Sequence, residues 1–75
     1  MPNFVSFREA VTAYACGATV WLFSDGNLVH GICWDLPRDA FQDPIIRAEA
    51  ARACSRNLRR FIRCEDPEVK FALTW

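Results

Sequence analysis

The chain has 75 residues, and nine basic residues balance nine acidic ones, so its formal net charge at pH 7 is zero. This length allows one domain, and a hydrophobic content of 52% with six Phe and three Trp excludes a disordered chain. No apolar run reaches the ~18 residues of a membrane span, and the N-terminus lacks the charged and then apolar order of a secretory signal. We therefore expect residues 1–75 to form a single folded domain in the cytoplasm.

Charge is distributed unevenly along the chain. Residues 1–43 carry a charge of about −3, residues 44–63 about +5 and residues 64–75 about −2. The neutral total therefore conceals one strongly basic segment between two acidic ones.

The first predicted element is a short helix over residues 7–16. Ser6 and Glu9 have the spacing of a capping box at its start, and Gly17 supplies the residue that commonly follows a helix end. Two β-rich runs, 18–23 and 28–34, come next. The Asp-Gly pair between them indicates a hairpin with a two-residue turn.

Both faces of this hairpin are apolar in the sequence. In a regular hairpin one face would carry Thr19, Trp21, Phe23, Leu28, His30, Ile32 and Trp34. A sheet covered on one side only would then expose several large rings. We expect the short helix to cover the second side, or else a second copy or a bound protein to do so through Trp21, Phe23 and Trp34.

The second half of the chain begins with a connector, 35–41, and continues into a long helix. Asp43 is the predicted N-cap and Pro44 the first helical residue, and no further Gly or Pro occurs before Pro67. Residues 68–75 alternate with period two, which predicts a half-buried strand. The predicted fold is a small α+β domain of order α-β-β-α-β, with a three-stranded sheet, the long helix on one face and a short N-terminal helix.

The long helix is predicted to carry its arginines on one side. At ~100° per residue, five of them fall within an arc of about 100°; these are Arg52, Arg56, Arg59, Arg60 and Arg63. The opposite arc is apolar and should face the sheet, so the arginines should face outward. Ile45 and Glu49 interrupt this scheme because they lie near the arginines.

A row of arginines has several interpretations. It can be a solvated face, favoured near the helix C-terminus by the helix dipole. It can also meet acids of the same chain, either Asp35 and Asp39 or the cluster at 65–68. It can bind a partner's carboxylates or nucleic-acid phosphates, for which the planar guanidinium is better suited than lysine.

The sequence is poor in catalytic and metal-binding patterns. Cys16, Cys33, Cys54 and Cys64 with His30 would suffice for zinc, but no Cys-x-x-Cys pair is present. Cys54 and Cys64 lie ~15 Å apart along one helix, which excludes a disulfide between them and leaves two pairings open. Buried reduced thiols are the expected state in the cytosol. We expect no cofactor, no metal and no enzymatic activity.

These features favour a small binding protein that occupies an acidic surface on a larger protein or nucleoprotein complex through the five arginines. Compact chains that lack catalytic patterns include phage inhibitors of host defence complexes. An anti-CRISPR-like inhibitor in the host cytoplasm is therefore one expectation. The alternatives are direct nucleic-acid binding through the same arginines, and a structural homo-oligomer joined through the sheet aromatics. Base stacking on those aromatics is less favoured, because the rings and the arginines should lie on different surfaces.

Overall fold

The computed structural model of the protein describes residues 3–63 and 69–75. Its strands are β1 (Phe4–Val5), β2 (Thr19–Ser24), β3 (Asn27–Ile32) and β4 (Lys70–Thr74). Its helices are α1 (Phe7–Ala15) and α2 (Pro44–Arg63), with a 3-10 helix at Arg38–Gln42 between β3 and α2. The α+β class is confirmed. The predicted three-stranded sheet is wrong, because Phe4–Val5 pairs with β4 as a fourth strand.

The four strands form one sheet of order β1-β4-β2-β3, in which all neighbours are antiparallel. Consequently β1 and β2 run parallel with β4 between them, and β3 and β4 run parallel with β2 between them. Helix α1 makes the first of these crossovers and α2 makes the second. The crossover through α1 runs one way across the sheet, and the crossover through α2 runs the opposite way between strands that point in the opposite direction. Two connections of the same handedness therefore place both helices on the same face of the sheet.

A single core lies between this face and the two helices. The sheet contributes Val20, Leu22, Ile32 and Phe71, and the helices contribute Ala10, Tyr14, Ala15, Ala50, Cys54 and Leu58. The rings of Phe7 and Phe71 meet edge to face at 6.2 Å between centroids. The expectation that the short helix covers the second side of the sheet is therefore wrong, since α1 packs on the same side as α2.

Helix α1 begins and ends as its sequence predicts. Its N-cap is Ser6, whose hydroxyl oxygen accepts a hydrogen bond from the backbone N–H of Glu9 at 3.2 Å. The helix is followed by Gly17, whose φ of +98° lies in the region that side chains disfavour. A Cβ at this position would also come within 3.2 Å of the Phe41 ring.

The hairpin has the predicted two-residue turn, but one of its strands is irregular. Asp25 and Gly26 both have positive φ, 52° and 78°, as a type I′ turn requires. Leu22 pairs with His30, whereas the next residue, Phe23, pairs with Leu28. Val29 is therefore an extra residue in β3, a β-bulge.

This bulge reverses the faces predicted for the second half of β3. Leu28 shares a face with Phe23, but His30 and Ile32 pair with Leu22 and Val20 and so lie on the helix side. Ile32 accordingly belongs to the core with an exposure of 7%. The regular hairpin assumed from the sequence is wrong beyond Val29, because one inserted residue changes the parity of every later side chain.

Two titratable groups are buried in the core and kept neutral. Burial raises the pKa of the Cys54 thiol to about 11. Burial, followed by the nearby thiols of Cys54 and Cys33, raises the pKa of Tyr14 to about 12. Both groups are protonated at neutral pH, so Cys54 is neither a ready nucleophile nor a ready metal ligand.

Candidate binding surface on the long helix

Helix α2 starts where the sequence places it. The carboxylate of Asp43 accepts a hydrogen bond from the backbone N–H of Ile45 at 2.9 Å, and its carbonyl accepts one from Arg47 at 3.0 Å. Pro44 occupies the first helical position, where a missing N–H costs nothing. The predicted N-cap is therefore confirmed, and it fixes where the helix that carries the arginines begins.

We predict that Asp43→Ala lowers the free energy of unfolding by about 1 kcal/mol, because the Ile45 N–H loses its partner. Asp39→Ala is the matched control, since Asp39 is exposed and forms no side-chain hydrogen bond among the described residues. Chemical denaturation of both variants checks the difference. An equal cost for the two substitutions would contradict the assigned cap.

The buried side of α2 is narrow and sharply defined. Ala50, Cys54 and Leu58 recur at every fourth residue and are each 0% exposed. Ile46 and Ala51 pack partly against the same core. Helical periodicity also places Ile62 on the apolar side of α2, but its side chain is 47% exposed, because it lies at the edge of the apolar arc, one turn beyond Leu58.

The opposite side of α2 carries the arginines, which we call the Arg stripe: Arg52, Arg56, Arg59, Arg60 and Arg63. The first four are exposed, as predicted, and the side chain of Arg63 lies outside the described part of the chain. From Arg52 to Arg60 the stripe extends about 12 Å along the helix. It faces away from the protein core, because the buried residues of α2 pack into that core against α1 and the sheet.

No acid in the described ranges forms an ion pair with the four arginines of the Arg stripe whose side chains the structure describes. Asp35, Asp39 and Glu49 are exposed, and within residues 3–63 and 69–75 none forms an ion pair with Arg52, Arg56, Arg59 or Arg60. The acids at 65–68, the other predicted internal partners, lie outside the described residues. The acids that the structure describes therefore leave these four arginines without an ion pair.

An apolar residue extends the stripe at its N-terminal end. Ile45 is 70% exposed and lies within about 20° of Arg52 and Arg56 around the helix axis. Helical periodicity predicts that Ile45 lies beside the arginines as the apolar exception on that side of the helix, but periodicity does not indicate a role for this side chain. An exposed isoleucine beside arginines has the composition of a protein interface, where an apolar anchor is surrounded by charged groups.

A second surface lies on the far side of the sheet, which neither helix covers. This open sheet face carries Phe4, Trp21, Phe23, Leu28, Lys70, Ala72 and Thr74. Trp21 and Phe23, two of the three aromatics that the sequence suggested for an interface, lie on this face. Trp34 was grouped with them and does not, because it packs against Tyr14 on the helix side at 6.1 Å between ring centroids.

The remaining reactive groups are dispersed. In the described part of the chain no three His, Cys, Asp or Glu side chains come together as metal ligands. Cys16, Cys33 and Cys54 are free thiols, and the first two are exposed rather than buried as expected. Cys64 lies outside the described residues.

A shallow cleft of about 450 Å³ between α1 and the end of β4 is lined by Arg8, Glu9, Thr12, Cys16, Leu73 and Trp75.

No helix within residues 3–63 and 69–75 is both long and apolar enough to cross a bilayer. Comparison with known proteins places no further constraint on the chain: no protein-family model, curated protein or solved structure matches it.

Proposed function

We propose that the protein is a non-enzymatic binding protein that docks its Arg stripe on an acidic surface of a larger protein. The observation that supports this proposal is the exposure of Arg52, Arg56, Arg59 and Arg60 on one side of α2 without an ion pair to any described carboxylate. Binding would act by occupying the partner's surface and not by turnover.

The arrangement costs folding energy that binding would recover. Arg52 and Arg56, and again Arg56 and Arg60, are like charges one helical turn apart, and each pair destabilises an isolated helix by roughly 0.2–0.5 kcal/mol. Partner carboxylates would replace this repulsion by charge-assisted, bidentate hydrogen bonds. Arginine loses less hydration than lysine when it enters such an interface.

Two observations favour a protein partner over nucleic acid. Ile45 continues the stripe with an apolar side chain, which fits a protein surface and has no partner on a phosphate backbone. The chain as a whole has zero net charge, so it has no long-range attraction for a polyanion.

The finer proposal is a phage-type, anti-CRISPR-like inhibitor of a host defence complex, acting in the host cytoplasm. It is supported by the exposed arginines without ion pairs to described carboxylates and by the absence of a catalytic pattern in the sequence.

The test is a pull-down with the triple variant Arg52→Glu/Arg56→Glu/Arg59→Glu. The matched control is Arg8→Glu/Arg38→Glu/Arg47→Glu, which makes the same charge change at three exposed arginines outside the stripe. A partner retained by wild type and control but bound at least ~100-fold more weakly by the stripe variant supports the proposal. Circular dichroism establishes that both variants are folded.

Two outcomes would contradict the proposal. The first is equal recovery of every partner by the stripe variant and the control. The second is a mobility shift of wild type with DNA or RNA that weakens steeply as salt rises, with a log–log slope of about −0.9 per duplex phosphate contact. That second result would assign the Arg stripe to nucleic acid.

A further inference from the structure

We propose that the acidic surface bound by the Arg stripe is a single α-helix of the partner, which lies antiparallel along α2. This inference rests on the proposed function, and it specifies the shape of the partner surface and the order of its charges. It starts from five exposed residues of α2, which we call the outer row: Ile45, Glu49, Arg52, Arg56 and Arg59.

The spacing of the outer row is typical of a contact between two helices. Its members follow one another at intervals of four, three, four and three residues, which is the spacing of the a and d positions in a coiled coil. At ~100° per residue they lie within an arc of about 80°, and the buried Ala50, Cys54 and Leu58 lie on the opposite side of the helix. Helix α2 contains no glycine, and its one proline is its first residue, so no residue that commonly kinks a helix interrupts the row over its length of about 21 Å.

Small residues lie beside the outer row. Ala48 and Ser55 flank it on one side and Ala53 on the other, at about 60–80° from its centre. Ala48 is exposed, and Ala53 and Ser55 are half-buried. Short side chains at these places let a second helix approach to the usual interaxial distance of about 8–10 Å. Arg60 also borders the row, on the side of Ala53, where its guanidinium can reach acids on the flank of the partner helix.

The charges of the outer row determine the chemistry of its occupant. Arg52, Arg56 and Arg59 call for carboxylates opposite them, and an acidic helix supplies carboxylates at the same intervals of three and four residues. A second copy of this chain does not fit, because its own outer row offers one carboxylate, Glu49, for three arginines. Nucleic acid does not fit either, because the exposed Glu49 would face phosphates and Ile45 would have no apolar partner.

The two ends of the outer row differ, and this difference sets the direction of the partner helix. Ile45 is 70% exposed at the N-terminal end, and the arginines follow toward the C-terminal end. An antiparallel partner places its first turns opposite Arg56 and Arg59, where its own helix dipole favours carboxylates. Its later turns then meet Glu49 with a cation and Ile45 with an apolar side chain. The binding face of the partner helix is therefore predicted to be acidic first, then basic and then apolar.

Fluorescence anisotropy of labelled synthetic helices with the full chain, at low salt, tests this proposal. The patterned peptide is an alanine-based helix that carries three glutamates, one lysine and one leucine on one face in that order. The scrambled peptide distributes the same residues around the helix, and circular dichroism establishes that both are equally helical. We expect the patterned peptide to bind at least ~10-fold more tightly. Equal affinities, or no binding of the patterned peptide at ~1 mM, would overturn the helical partner.

A charge exchange at Glu49 gives the second measurement. Wild type should prefer the patterned peptide to a version in which glutamate replaces the lysine, and Glu49→Lys should reverse this preference. The matched control Asp39→Lys makes the same charge change at an exposed residue outside α2 and should keep the wild-type preference. An unchanged preference in Glu49→Lys would contradict the assigned order of charges. Tighter binding of a peptide with the reversed sequence would overturn the antiparallel direction.

These outcomes are separable from those of the proposed function. If the stripe variant loses its partner in the pull-down while the patterned and scrambled peptides bind equally, the acidic partner surface is retained and its helical form is rejected. If the stripe variant and its control recover every partner equally, the proposed function itself is contradicted, whatever the peptides do.

Discussion

Replacing Leu58 with alanine is expected to lower the free energy of unfolding by about 2–5 kcal/mol. Leu58 is 0% exposed and belongs to the core between α2, α1 and the sheet. Truncation removes buried methyl groups and leaves a cavity that a small core closes only in part. Because domains of this size have a total stability of only about 5–15 kcal/mol, the loss is readily measured by urea or thermal unfolding.

The control is Ile45→Ala on the same helix, where the side chain is 70% exposed. We expect this substitution to change stability by no more than about 0.5 kcal/mol. The pair therefore reports which side of α2 faces the sheet. A larger cost at Ile45 than at Leu58 would mean that the helix is rotated, and the Arg stripe could then not face outward.

The long helix was predictable because its signals are local. Asp43 and Pro44 define its start within two residues, and the apolar positions recur with helical periodicity. The direction of the Arg stripe follows from that periodicity alone, because the side with Ala50, Cys54 and Leu58 must be buried. The hairpin turn was predictable for the same reason, since Asp25 and Gly26 are the residues that positive φ requires.

The features that sequence reasoning missed depend on distant parts of the chain. Strand β1 contains only Phe4 and Val5, which is too short for any periodicity, and it exists because β4 offers a free edge. The side on which α1 packs follows from the strand order β1-β4-β2-β3, and no local pattern encodes that order. The bulge at Val29 has no turn residue to mark it.

These errors bear unequally on the two candidate surfaces. The Arg stripe lies on a helix whose start and buried side are locally determined, so its predicted position survives the change in topology. The open sheet face is the opposite case. Helix α1 packs on the same side of the sheet as α2, and the bulge moves Ile32 into the core. The exposed apolar face is therefore covered by neither helix, and it carries a different set of residues from the one predicted.

Gly31→Ala tests how the open sheet face is built, and it is expected to destabilise the protein by about 1–3 kcal/mol. A Cβ at this position would lie 2.7 Å and 2.8 Å from two atoms of the Trp21 ring. The ring cannot move aside freely, because its Nε1–H is bonded to Thr74 in the neighbouring strand. Strand propensity alone predicts the opposite sign, since alanine in a strand is favoured over glycine by roughly 0.5–1 kcal/mol.

The Trp21→Leu background separates these two effects. Without the indole, the three ring atoms nearest to the added methyl group are absent. The propensity term should then dominate, so Gly31→Ala should become neutral or stabilising there. Denaturation of the four proteins in this double-mutant cycle gives the coupling energy directly. If Gly31→Ala lowers the free energy of unfolding equally in both backgrounds, contact with the Trp21 ring is not the reason that this position needs a glycine. The close packing of the Trp21 ring over Gly31 would then not be the reason for the glycine.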